Sequence, residues 1–168
     1  IDWLAQRLHC DAGFLANGVS TDERGRVEGA LARAEALMHS DQCVEALELY
    51  GSTESAVLAT GSPELEARML TGQARAMAIE GQVRESVPLL EKARGLVEAA
   101  NVSDVERAEV VYELGVARYK LSSISTALGL FNAALELAER SGLPSDLLRS
   151  KILEARSQRD ELQDVGHD

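Results

Sequence analysis

The chain has 168 residues, 45% of them hydrophobic and 27% charged, which suffices for one domain with a sizeable core. A formal net charge of −11 repels phosphate backbones and anionic lipid headgroups, so nucleic-acid and membrane-surface binding by this segment are excluded as first readings. Two cysteines cannot build a disulfide framework and no apolar run nears the roughly 18 residues of a membrane span, so a reducing cytoplasm is the expected setting.

Aromatics are only 4% and prolines number three, while Ala, Leu and Glu dominate, a mixture that favours helix throughout. No signal peptide is visible, and a chain opening on Ile1 is expected to be a fragment or a processed product. The Asn101-Val102-Ser103 triplet matches a glycosylation sequon of a kind that arises often by chance.

Residues 1–20 stand apart from the rest of the chain. Trp3, Leu4 and Leu8 make a short amphipathic helix, Cys10-Asp11 a break, and Phe14-Leu15 a second brief helix ending at Gly18. The stretches Leu4-Ala5-Gln6-Arg7-Leu8 and Phe14-Leu15-Ala16-Asn17-Gly18 resemble the last helices of a Cro/repressor-type helix-turn-helix domain. The resemblance implies that a recognition helix lies upstream. The competing reading is an N-terminal capping helix for the downstream repeats.

From residue 21 to 163 one spacing recurs. After Ala34 come Ala46, Tyr50 and Thr53; after Ala74 come Ser86, Leu90 and Ala93; after Gly115 come Ala127, Phe131 and Ala134. The order is small, small, large, small each time, with the anchors 40 and 41 residues apart. A small residue on a first helix lets a second approach closely, and a large one then fills the gap. The first helices carry the stripes Val27-Ala30-Leu31-Ala34-Leu37, Leu70-Ala74-Met77 and Val110-Val111-Leu114-Val116. The second helices carry Val44-Leu47-Tyr50, Val83-Val87-Leu90-Leu96 and Ile124-Leu128-Phe131-Leu135. Turns fall at Gly61-Ser62-Pro63, Asn101–Asp104 and Ser141–Asp146. Ser62 is placed to cap a helix opening at Pro63, and Ser103 with Glu106 has capping-box spacing. Leu148, Ile152, Ala155 and Leu162 mark a charged final helix that caps the last hairpin, and residues 164–168 are expected to fray.

This pattern resembles the tetratricopeptide repeat (TPR) family over roughly residues 26–162. The repeats run nearer 40 residues than the usual 34 or so, and Ala30, Leu70 and Val111 replace the bulky aromatic expected early in each first helix. The resemblance implies an all-α, right-handed superhelix of about three hairpins plus a C-terminal capping helix, with a concave face that binds a peptide or partner protein. The carboxylate clamp of chaperone-binding members is not matched, because Leu31, Glu35, Glu109 and Glu113 stand where it needs Lys, Asn and Arg.

The repeat register places Glu28, Leu31, Glu35 and Met38, then Arg68, Thr71, Arg75 and Ala78, then Glu109, Tyr112, Val116 and Tyr119 along that face, with Arg149, Arg156 and Arg159 added by the final helix. Arginine forks suit carboxylates and tyrosines give rigid contact area. Two readings are open. Arg68, Arg75, Tyr112 and Tyr119 hold an anionic or mixed peptide, or the arginines pair with Glu28, Glu35 and Glu109 across the groove.

No catalytic or metal-binding constellation is legible. His9, His39 and His167 are scattered, there is no Cys-x-x-Cys, and no glycine-rich phosphate loop is present. His39 reads as a solvated helix-terminal side chain and Cys43 as a core thiol. A non-enzymatic protein without cofactor is expected. The leading reading is the effector and oligomerisation region of a bacterial helix-turn-helix transcriptional regulator, homodimeric if exposed hairpin ends self-associate. The alternatives are a free-standing TPR adaptor that never touches DNA and the sensor arm of a larger signalling ATPase.

Overall fold

The structure is a computed structural model and describes residues 21–166. The helix-turn-helix likeness, together with His9, Cys10 and His167, lies outside the described residues. Within them the chain is seven helices and no strand: α1 (Thr21–His39), α2 (Cys43–Ala59), α3 (Pro63–Ile79), α4 (Val83–Ala99), α5 (Asp104–Lys120), α6 (Ile124–Arg140) and α7 (Asp146–Val165).

Local chemistry sets the boundaries. Ser62 Oγ accepts from the Leu65 amide at 3.3 Å with Pro63 at the first helical position, where its missing N–H costs nothing. Ser103 and Glu106 close a full capping box on α5, the Ser103 amide donating to Glu106 at 3.0 Å while Ser103 Oγ accepts from the Glu106 amide. Four helices end in one way: the amide of Gln42, Gln82, Ser123 or Leu143 donates to a carbonyl five residues back, at 2.8–3.0 Å, past a left-handed residue. That residue is Gly at 81 and 142 but Asp41 and Ser122 elsewhere, so the turn geometry persists where the side chain does not favour it. The α4–α5 connection differs. There Arg107 donates to the Val97 and Ala100 carbonyls at 3.2 and 3.3 Å and closes the end of α4 from the side.

Each helix packs against its neighbours in sequence, pairing α1 with α2, α3 with α4 and α5 with α6. In addition α1 touches α3 and α3 touches α5, whereas no comparable contact joins α2 to α4 or α4 to α6 among the described residues. The first helices therefore crowd together on an inner layer and the second helices splay outward, which curves the stack. All twelve residues of the recurring small–small–large–small pattern are buried, with Ala34, Ala46, Ala74, Ser86, Ala93, Ala127, Phe131 and Ala134 fully so. Cys43, Val83 and Ile124 each open a second helix, so the three hairpins share one register. Burial pushes the Cys43 thiol up from its ordinary value, as a core position requires.

Some expectations need correction. Val44 is 54% exposed and does not belong to the α2 stripe. Leu162 is also exposed; the buried face of α7 is Ile152 and Ala155, which join Ile124, Leu128 and Phe131 of α6, and beyond them the helix outruns the surface it covers. α7 continues through Val165, into the stretch expected to fray. Leu31, Met38 and Thr71, expected on the concave surface, are buried instead, because the inner helices pack closely enough to take those positions into the core.

Candidate functional site

The inner layer holds the concave face and an open cavity of about 500 Å³, bounded by Glu35 and His39 of α1, the Glu64–Arg75 side of α3, Val102 of the α4–α5 connection, and Glu106, Glu109 and Val110 of α5. Its charged residues come from three successive first helices, so the repeat itself assembles it. His39 is exposed, its Nδ1 donating to the Glu35 carbonyl at 2.7 Å.

In the structure both groove arginines are paired with carboxylates. Arg68 donates to both carboxylate oxygens of Glu35, Nε at 2.7 Å and Nη2 at 2.8 Å, a two-pronged pair across the α1–α3 groove. Arg75 donates Nε to Glu113 at 2.8 Å and Nη2 to Glu109 at 2.9 Å, bridging α3 and α5. The pairing reading thus describes Arg68 and Arg75, with one change of partner: Glu28 takes Arg24 of its own helix at 2.9 Å. Burial pushes the Glu113 carboxyl up, and Arg75 pulls it back without cancelling the effect.

Tyr112 and Tyr119 form a separate group toward α7. Tyr112 tilts against Phe131 with ring centroids 6.0 Å apart. Tyr119 donates to Glu154 at 3.2 Å, and Glu154 also accepts from Lys151 at 3.0 Å, which holds its carboxyl below the ordinary value. Arg156 is exposed on α7 and lies outside the cavity. Arg149 pairs with Glu139 and Arg159 with Asp160, and neither lines the cavity.

Four residues of the site escaped the sequence reading. Glu64 and Glu106 both line the cavity; burial first, then the Glu106 charge, push the Glu64 carboxyl up. Gly72 lines the cavity, and a Cβ built there would overlap the Tyr50 hydroxyl and lie 2.5 Å from its Cζ. Tyr50 is 1% exposed and its hydroxyl has no hydrogen-bond partner among the described residues. A tyrosine where the other repeats carry Leu90 and Phe131 was the signal available in the sequence. Among the described residues no group of three or more His, Cys, Asp or Glu is arranged to hold a metal, and no helix is long and apolar enough to cross a membrane.

No protein-family profile and no characterised protein sequence matches the chain. Solved structures do. A putative kinesin light chain of Podosopora anserina with nearly identical TPR-like repeats superposes with a TM-score of 0.68 at 21% identity, over 83% of this chain and 69% of that one, and a point variant of it matches equally. The TPR domain of Sgt2 from Aspergillus fumigatus superposes with a TM-score of 0.65 at 18% identity, over 82% of each chain. The seven-helix stack is a TPR-like all-α superhelix.

Proposed function

We propose that this chain is a docking module that receives a segment of a partner protein on the concave face of α1, α3 and α5, and that it acts by binding rather than by catalysis. The observation that supports this most directly is the open cavity built jointly by three first helices and lined by charged side chains from each of them. A photo-crosslinking residue placed at Glu64 or Glu109 should trap a partner, and one placed at Glu48 or Arg84 on the outer helices should not. Adducts formed equally from both faces would remove the proposal.

The finer reading is the effector and self-association region of a cytoplasmic bacterial helix-turn-helix regulator, with DNA read by another part of the parent protein. Its support is the likeness of Leu4–Leu8 and Phe14–Gly18 to the end of such a domain, and the exposed apolar side chains of α7, Leu147, Leu162 and Val165, which suit self-association. A dimeric mass by light scattering, lost on Leu162→Glu with Val165→Glu, is expected. A monomer at every concentration would favour the free-standing adaptor.

A further inference from the structure

The concave cavity contains four carboxylates, Glu35, Glu64, Glu106 and Glu109, and two guanidiniums, Arg68 and Arg75. Both guanidiniums already use paired N–H groups on internal carboxylates, so an incoming anion must break Arg68–Glu35 or Arg75–Glu109 and face the excess negative charge as well. Glu64 and Glu106 are not engaged by either arginine. Glu106 is tied to Ser103 by the capping box, and it and Glu64 line the same cavity from α5 and α3, so two acids stay on the lining without an arginine partner among the described residues.

The floor supplies an independent observation. Tyr50 reaches from α2 beneath Gly72, where the absent side chain leaves its hydroxyl directly under the cavity lining. The charges acting on that hydroxyl are Glu35, Arg75, Arg68 and Glu109, all of which line the cavity. The hydroxyl is buried without a partner among the described residues, an arrangement that costs about 1–3 kcal/mol when nothing meets it. A hydroxyl in that position can accept from an ammonium or guanidinium and donate to a neighbouring carboxylate.

We infer that the groove's occupant is a cationic peptide segment, an extended stretch of a partner protein that places a Lys or Arg side chain between Glu64, Glu106 and Glu109 and over the Tyr50 hydroxyl. The inference rests on the docking reading above and names the chemistry of the partner. From Glu64 to Arg75 the α3 wall runs for about 16 Å, room for roughly five extended residues.

The test uses two fluorescein-labelled octapeptides, one alternating Lys with Ala and one alternating Glu with Ala, titrated by anisotropy at about 0.15 M salt, where exposed charges are screened. The lysine peptide should bind at least tenfold more tightly than the glutamate peptide. Glu64→Gln with Glu109→Gln should weaken it by about tenfold, whereas Glu48→Gln with Glu85→Gln, on the outer helices, should change affinity less than about twofold. Tyr50→Phe should weaken lysine-peptide binding while raising Tm, opposite movements that a purely structural hydroxyl does not produce. Equal losses from the inner and outer pairs, or an unchanged affinity in Tyr50→Phe, overturn the inference. Tighter binding of the glutamate peptide, lost on Arg68→Ala, also overturns it while leaving the docking reading in place. Failure of both peptides to bind overturns the two together.

Discussion

Tyr50 and Phe131 occupy the same place in their repeats and press on glycines in different ways. Phe131 packs within its own hairpin, where a Cβ on Gly115 would lie 2.7 Å from the ring. Tyr50 leans forward onto the next hairpin, beneath Gly72. The Phe131 end is finished: it is a fully buried ring with Tyr112 alongside and α7 behind. The Tyr50 end carries a hydroxyl that no described residue satisfies, under the wall of the cavity. One repeat position thus serves packing alone at the C-terminal end and, at the N-terminal end, also sets a buried hydroxyl beneath the cavity lining. A buried polar group without a partner is a cost that a core position has no reason to carry.

Truncation should separate the two ends most visibly. Phe131→Ala should cost about 3–5 kcal/mol in urea denaturation, and Tyr50→Ala less, because the second change also removes the unsatisfied hydroxyl. Equal losses would erase the distinction between them. Next come the glycines: Gly115→Ala and Gly72→Ala should each destabilise by about 1–3 kcal/mol through overpacking, against a helix-propensity gain of about 1 kcal/mol. The Gly72→Ala penalty should shrink by about 1 kcal/mol when combined with Tyr50→Phe, since the hydroxyl is the nearest obstacle. Gly115 has no comparable rescue, because the obstacle there is the Phe131 ring itself.

Tyr50→Phe alone should stabilise the free protein by about 1 kcal/mol. It should also soften alkaline unfolding. Burial, with the Glu35 charge adding to it, pushes Tyr50 up to about 12, while an unfolded tyrosine ionises near about 10. The stability tied to this group is therefore complete below about pH 10 and falls as pH rises toward about 12. Tyr112 and Tyr119 are raised as well, so the substitution reduces that slope without abolishing it. The smallest effect belongs to Glu64→Gln. Because Glu64 is raised, wild-type stability is fullest below the ordinary carboxylate value and declines as pH rises through the folded one. The amide should raise Tm by about 1 °C at neutral pH, a gain that disappears below about pH 4.5; a loss at neutral pH would show that Glu64 is already paired favourably.

The hairpin stack was legible because its cause is periodic. Ala34, Ala74 and Gly115, with the residues 12, 16 and 19 places on, mark where helices must nest, and caps such as Ser62-Pro63 and Ser103–Glu106 are local chemistry that needs no distant partner. The inner face was legible as a set of positions, and Arg68 and Arg75 do stand there. Which carboxylates they take was not, since Glu109 and Glu113 lie one turn apart on α5 and only the offset between α3 and α5 brings both to Arg75. That Tyr112, Tyr119 and Arg156 do not line this cavity was hidden for the same reason: a register read along one helix says nothing of how far the next is shifted or tilted. By itself, then, the sequence determined the helices, their pairing and most of the residues that are buried, all consequences of spacing along one chain. The tertiary structure alone decided that Glu64 meets Glu106 and that Tyr50 ends beneath Gly72, because those contacts depend on the packing between hairpins, where a shift of a single helical turn changes every partner.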